Sequence, residues 1–230
     1  MAAPSPSSIA DRLIWLRRPA RLVESDIALD IKVDKKAIAS GWERMVADNP
    51  RMTDGPCLHV LGVRRDGHGG ATIHVTRTTY RMAAVRSLGI TTGFVGLGIK
   101  AIAHWRGKCL IGQRSASCAT YPSHWEFAPG GSVEPGEDPI VGIGRELMEE
   151  CAARPCVRPK PVALIFDRSV GNWEIIHDIS MESPPDAPPN WEYSSLRMLE
   201  GFQFPQPTSP CSLAMIEVAR RVITAEQIQP

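Results

Sequence analysis

The chain has almost no net charge and no long run of either sign: 26 lysine and arginine residues face 25 aspartate and glutamate, leaving +1. Without a global field it has no means of drawing in nucleic acid or an anionic membrane surface, which argues against RNA decapping and against either as a partner. Its six cysteines (Cys57, Cys109, Cys118, Cys151, Cys156 and Cys211) contain no Cys-x-x-Cys pair. Neither a zinc site nor the disulfide framework of a small secreted domain is expected, and reduced, mostly buried thiols in a cytoplasmic protein fit best. The opening residues lack the basic start and apolar run of a signal peptide. The most apolar stretch, Leu88 to Trp105, is broken by four glycines, two threonines and Lys100, so two short strands are expected there rather than a membrane span. No internal repeat is present, and 230 residues suit one large domain or two small ones.

What stands out is Gly130 to Glu150. It reads as a Gly-Gly turn followed by a helix to about Ala153, with Asp138 as N-cap and Pro139 at the first helical position, where a missing N–H costs nothing. Ile140, Ile143, Leu147 and Cys151 recur at helical spacing and form the buried stripe. Glu146 has Glu149 at i+3 and Glu150 at i+4, so three carboxylates crowd one face. Exposed like charges at that spacing repel by roughly 0.2–0.5 kcal/mol per pair, and a hard divalent cation that bridges substrate phosphates is the natural counter-charge.

The spacing of Gly131, Glu137, Arg145-Glu146-Leu147 and Glu149-Glu150 resembles the signature box of the Nudix hydrolases. One position departs: Ala152 stands where that box has a glycine, a mild change provided the residue does not need positive φ. The resemblance implies attack of water on one phosphorus of a nucleoside diphosphate linked to another group. It implies Glu146, Glu149 and Glu150 as ligands of Mg2+ or Mn2+, with the Gly130 or Gly131 carbonyl helping and Glu137 pairing with Arg145 to hold the loop on the helix. Arg114, at a strand end, is where similar enzymes place a phosphate-facing arginine, and Glu126 is either a further metal-site residue or a polar strand residue. The catalytic base in such enzymes often lies on a loop before a late strand; Asp186 is the candidate here, with Glu182 and Glu192 nearby, each also readable as a solvated loop carboxylate. Failing these, a box glutamate such as Glu146 orients the water.

The rest of the chain frames that segment. Residues 1–20 read as a loose arm docking through Leu13 to Leu16, Arg21 to Val33 as a strand, and Asp34 as the N-cap of a helix to about Asp48. Strands are expected over 57–63, 71–79, 97–105, 109–114, 124–127, 161–167, 173–182 and 191–199. A last helix over 209–224 turns Leu213, Ile216, Ala219 and Ile223 inward. The expected fold is α/β: a three-layered α/β/α sandwich with a mixed sheet, the box helix and last helix on opposite faces, and a boundary near 92–93 behind a small α+β N-terminal unit. That unit's Asn49-Pro50, Asp54-Gly55-Pro56 and Thr78-Thr79-Tyr80-Arg81 resemble the lead-in of the Nudix subgroup acting on UDP-sugars. The likeness implies a nucleotide-sugar such as UDP-glucose as substrate, UMP and a sugar 1-phosphate as products, Tyr80 or Arg81 near the base or sugar, and a homodimer by analogy. ADP-ribose or dinucleotide pyrophosphatases and a non-catalytic nucleotide sensor are the alternatives; intact box carboxylates argue for catalysis. His124 and His177 suggest no metal triad, the glycines at 93, 96 and 98 lack the helix of a dinucleotide site, and Trp125, Trp173 and Trp191 read as core, with one free to stack on a base.

Overall fold

The computed structural model describes residues 13–26, 34–50, 52–186 and 190–228; most of the expected strand at 21–33 lies outside them. In chain order the elements are β1 (Leu13–Trp15), β2 (Arg21–Glu24), α1 (Lys35–Asp48), β3 (Pro56–Arg65), β4 (Ala71–Thr79) and α2 (Arg81–Ala84). There follow β5 (Gly96–Trp105), β6 (Lys108–Arg114), β7 (Trp125–Phe127), β8 (Gly130–Ser132), α3 (Pro139–Cys151), β9 (Lys160–Asp167), β10 (Asn172–Ser180), β11 (Tyr193–Leu199) and α4 (Pro210–Ile228).

The main path of the sheet runs β1-β9-β10-β5-β3-β4-β2, with β6, β7, β8 and β11 joined at its side. β5 lies parallel to β10 over its length, from Gly96↔Asn172 to His104↔Ser180, and it is buried almost throughout, as a central parallel strand must be. β3 and β4 form a long antiparallel hairpin that meets β5 at His59↔Gly96. The expected docking of Leu13 to Leu16 takes the form of β1 pairing antiparallel with β9.

Two apolar clusters flank the sheet. On one face Ile143, Leu147 and Cys151 of α3 pack on Ile99, Ala101, Ile175 and Leu164, and Leu58 and Ile73 extend the same layer. On the other, Met215, Val218, Ala219 and Ile223 of α4 pack on Ile102, Ile111, Phe127 and Ile176. The two helices therefore lie on opposite faces, a mixed α/β fold with extra N-terminal strands and helix.

Several expectations change at this level. Gly130 and Gly131 are not a turn: they pair with Lys100 and Ile99 as a short strand, and the turn falls at Pro135-Gly136, where Gly136 has φ 83°. Only one strand, β5, lies in the apolar stretch: the 3-10 turn before it closes at Gly89 in the left-handed region, and residues 90–95 form no strand. Leu213 points outward, since α4 presents Cys211, Met215 and Val218 to the sheet instead.

The largest correction is Ala152. It caps α3 with φ 50° and ψ 33°, the left-handed conformation, and Ala153 N–H donates to Leu147 O at 3.3 Å in the C-terminal wrap. The position therefore does require positive φ, and a Cβ there costs about 1 kcal/mol. Ala152→Gly is expected to raise stability by about 1 kcal/mol, a gain of about 2–4 °C in Tm, read by calorimetry.

His177 on β10 is wholly buried, with Nδ1 against Ile175 O at 3.1 Å and Nε2 without a hydrogen-bond partner. Burial pushes its pKa down to about 4. The folded state therefore refuses a proton that the unfolded chain accepts below about pH 6.5, so stability is lost as pH falls from 6.5 toward 4. Against His177→Asn, the wild type should lose on the order of 3 kcal/mol more between pH 7 and 4, measured as the shift in urea midpoint.

Candidate active site

The site grows from the junction of β8 with α3. Asp138 accepts from Ile140 N–H at 2.9 Å and starts the helix, with Pro139 in its first turn, as its residue types dictate. The buried stripe of α3 fixes its rotation on the sheet, which turns Glu146 and Glu150 toward β8. Gly131 lets them approach: a Cβ there would fall 2.2 Å from a Glu146 carboxyl oxygen. Gly130 donates its N–H to Glu150 at 3.3 Å, so the backbone of this strand supplies Glu150 with a donor.

Arg145 spans the acidic face. It bonds Glu137 through two nitrogens at 3.1 and 3.4 Å, and lies 3.1 Å from both Glu146 and Glu149. The Glu137–Arg145 pairing is the loop-to-helix clasp that the resemblance implies, and a Glu137 carboxyl oxygen also accepts from Glu134 N–H at 3.3 Å. Glu149 is 59% exposed, whereas Glu146 is 12% and Glu150 is buried. Burial pushes Glu146 up to about 7 despite Arg145, with Glu149 adding to the rise. Glu150 is also raised, by burial first and then by the facing carboxylate of Glu192.

Glu192 is the residue that sequence reasoning undervalued. Readable as a solvated loop carboxylate, it is buried, 2.8 Å from Arg114 and directed at Glu150. Asn190 puts it there. Its Nδ2 donates to Glu150 O at 2.8 Å, and its Oδ1 accepts from Glu192 N–H at 2.9 Å and Tyr193 N–H at 2.8 Å. One amide thus ties the loop to the C-terminal end of α3. An asparagine directly after a proline-rich segment carried no periodic signal, so nothing in the sequence singled it out. Asp186, by contrast, stands exposed on the loop. Glu182 is exposed as well, and its N–H donates to Arg154 O.

Behind the carboxylates lies a compensated network. Glu126, 1% exposed, takes Lys100 at 2.9 Å, Arg114 at 2.9 Å and the Tyr193 hydroxyl at 3.2 Å. Burial alone would raise its carboxyl, yet Lys100 and Arg114 outweigh that and hold it below the usual range. Arg114 also donates to Thr120 O at 2.7 Å. Its side chain thus bridges Glu126, Glu192 and the 115–124 loop.

Arg81 is held by Asp54 through its backbone N–H and its guanidinium. Tyr80 lines a cavity of about 440 Å3 together with Arg86, Phe94, Thr120, Tyr121 and Asn172. Burial first, then Cys57 and Glu192, push the Tyr80 hydroxyl up, against Arg114, which pulls it down. The cavity is formed where β3 and α2 meet the loops of the central sheet, and it is joined to the charge network through Thr120, whose carbonyl takes Arg114. Trp191 is 78% exposed beside Glu192, not core, while Trp125 is buried and Trp173 half-buried.

The donor set suits a hard divalent cation. Glu146 and Glu150 offer carboxylate oxygens whose protons are held by burial and by neighbouring acids, the electrostatic condition a cation would relieve. Among the described residues, no three histidine, cysteine, aspartate or glutamate side chains form a ready-made ion cage. Mg2+ does not need one, since it binds through one or two carboxylates, water and substrate phosphates. Among the described residues no helix is long and apolar enough to cross a membrane.

Comparison with known proteins meets the same segment. Residues 98–186 match the family model for the NUDIX domain. An uncharacterized Nudix hydrolase of Pseudomonas aeruginosa is 36% identical over 61 residues, which are 26% of this chain and 36% of that protein. The chain thus spans about a third of the length of that curated relative. Among solved structures, a NUDIX hydrolase from Nitrosomonas europaea overlaps 58% of this chain and 73% of its own, with TM-score 0.46 and 20% identity. A MutT NUDIX hydrolase from Burkholderia pseudomallei overlaps 58% and 97%, with TM-score 0.45 and 20% identity.

Asn190→Ala should leave the Glu150 carbonyl and two N–H groups unsatisfied, a loss of about 1–3 kcal/mol. Urea denaturation would read this as a lower midpoint at unchanged m-value.

Proposed function

We propose that the chain is a Nudix hydrolase, on the match of residues 98–186 to that family's domain model, and that it hydrolyses the pyrophosphate bond of a nucleoside diphosphate linked to a second moiety, with Mg2+ or Mn2+ as cofactor. The observation that carries this reading is the gathering of Glu146, Glu150 and Glu192, from two separate segments, against the backbone of Gly130 and Gly131. Such a concentration of buried acid has no structural use that apolar residues would not serve better.

Glu146 and Glu150, with Glu149 at the exposed edge, would hold the divalent ion, which would supply charge neutralisation for the phosphates and make water a better nucleophile. The residues do the rest. Arg145 and Glu137 fix the loop against α3, so the carboxylates are oriented before substrate arrives. Glu192, aimed by Asn190, is placed to accept a proton from water; it takes this role over from Asp186, which is exposed. Arg114 holds Glu192, Glu126 and the Thr120 carbonyl rather than standing free for phosphate. The cavity bounded by Tyr80 takes the moiety carried on the diphosphate. A nucleotide-sugar such as UDP-glucose is the substrate class favoured, on the likeness of residues 49–56 and 78–81 to the UDP-sugar subgroup and on Tyr80 lining the cavity. The small-molecule partner is then a nucleoside diphosphate derivative.

The test is product analysis with purified full-length protein, Mg2+ and a panel of nucleotide-sugars, ADP-ribose and dinucleotides. Metal-dependent release of a nucleoside monophosphate is expected, falling at least about a hundredfold in Glu146→Gln and Glu150→Gln. Tight binding without turnover of any compound would instead favour a sensor.

A further inference from the structure

The cavity contains one charge that nothing in the reaction so far uses. Arg86, on the 3-10 turn after α2, lines it beside Ser132, Ser169 and Asn172. Its Nη1 donates to Phe94 O at 3.4 Å, and its other end lies against Gly171, where a Cβ would fall 2.8 Å from Nη2. Gly171, at φ 64°, thus leaves room for the guanidinium. No carboxylate forms an ion pair with Arg86 among the described residues, and half-burial alone lowers its pKa. Asp167, at the end of β9, is occupied: it takes the Tyr121 hydroxyl at 2.6 Å and Ser169 N–H at 3.0 Å. Among the described residues, no acidic side chain lines the cavity.

Position separates Arg86 from the reacting phosphates. Gly96 lines the cavity, and Ile99, three residues along β5, pairs with Gly131 against Glu146, a span of about 10 Å of strand. A planar cation so placed suits bidentate capture of a second anionic group at the far end of the substrate. We infer that the cavity is the specificity pocket for the distal moiety and that Arg86 selects substrates bearing an additional anionic group there, a carboxylate or a phosphate. This rests on the hydrolase reading for the identity of the substrate, and it narrows the nucleotide-sugar class to acidic members or to phosphorylated dinucleotides. The N-terminal unit is then part of the site, because Arg86 and Tyr80 come from it.

The experiment is calorimetric binding to the full chain in EDTA, which needs no turnover. Two pairs differ by one anionic group each: UDP-glucuronate against UDP-glucose, and NADP+ against NAD+. The wild type should bind the acidic member of at least one pair at least tenfold more tightly; the pair that discriminates tells carboxylate from phosphate. Arg86→Gln should erase the preference while binding the neutral member within about threefold of wild type, and Arg86→Lys should restore part of it. Lack of preference in both pairs, lack of binding altogether, or a preference that survives Arg86→Gln would each overturn the inference. A preference without metal-dependent hydrolysis would leave this inference standing and sink the hydrolase reading alone.

Discussion

Repulsion among carboxylates that the fold forces together is the constraint on which this structure turns. Glu146 and Glu150 are brought to β8 by the same stripe of Ile143, Leu147 and Cys151 that anchors α3 to the sheet, so burying the stripe and crowding the acids are one event. Asn190 then adds Glu192 from across the chain. A sequence selected for stability alone would not keep this. Burial lifts Glu146 and Glu150 above the ordinary carboxylate range, and the only charge of opposite sign on the helix face is Arg145, shared with Glu137 and Glu149. The strain is consistent with a site whose missing positive charge arrives with its ligand.

A second layer of charge is arranged to the opposite end. Lys100, Glu126, Arg114 and Tyr193 are mutually satisfied, and in that company Glu126 stays ionised although buried. This network is a scaffold: it fixes Arg114, which fixes Glu192 and, through Thr120, one wall of the cavity. Balanced charge behind and unbalanced charge in front give the site a rigid support and a reactive edge. The price of rigidity is a loop with Tyr121 and Ser123 at φ 50° and 61°, held by the Tyr121–Asp167 hydrogen bond.

Much of this was legible from residue order because it is local. The N-cap and first turn of α3, its buried stripe and the α1 cap by Asp34 all depend on near neighbours, whereas the Glu137–Arg145 clasp came from the family resemblance. What failed to show was either non-local or conformational. Glu192 looked solvated since its burial depends on Arg114, 78 residues away, and on Asn190 reaching back 40 residues to Glu150. Gly130 and Gly131 looked like a turn because glycine pairs serve turns, whereas here the absent Cβ makes room for Glu146 in a strand. Ala152 looked mild since side-chain identity does not reveal φ. Leu213 looked buried because one apolar residue in a mixed helix fits more than one rotation; the position of Ser212, whose hydroxyl takes Phe127 N–H at 3.0 Å, fixes the rotation observed.

The most direct measurement is the thermal stability of wild type and Glu150→Gln with and without saturating Mn2+. If the carboxylates await a cation, the amide variant is the more stable of the two in EDTA, having lost the repulsion with Glu192 and Glu146, and the wild type is the more stable in Mn2+, having gained a ligand the variant cannot hold well. A variant less stable than wild type in EDTA, or stabilised by Mn2+ as much as wild type, would contradict the account.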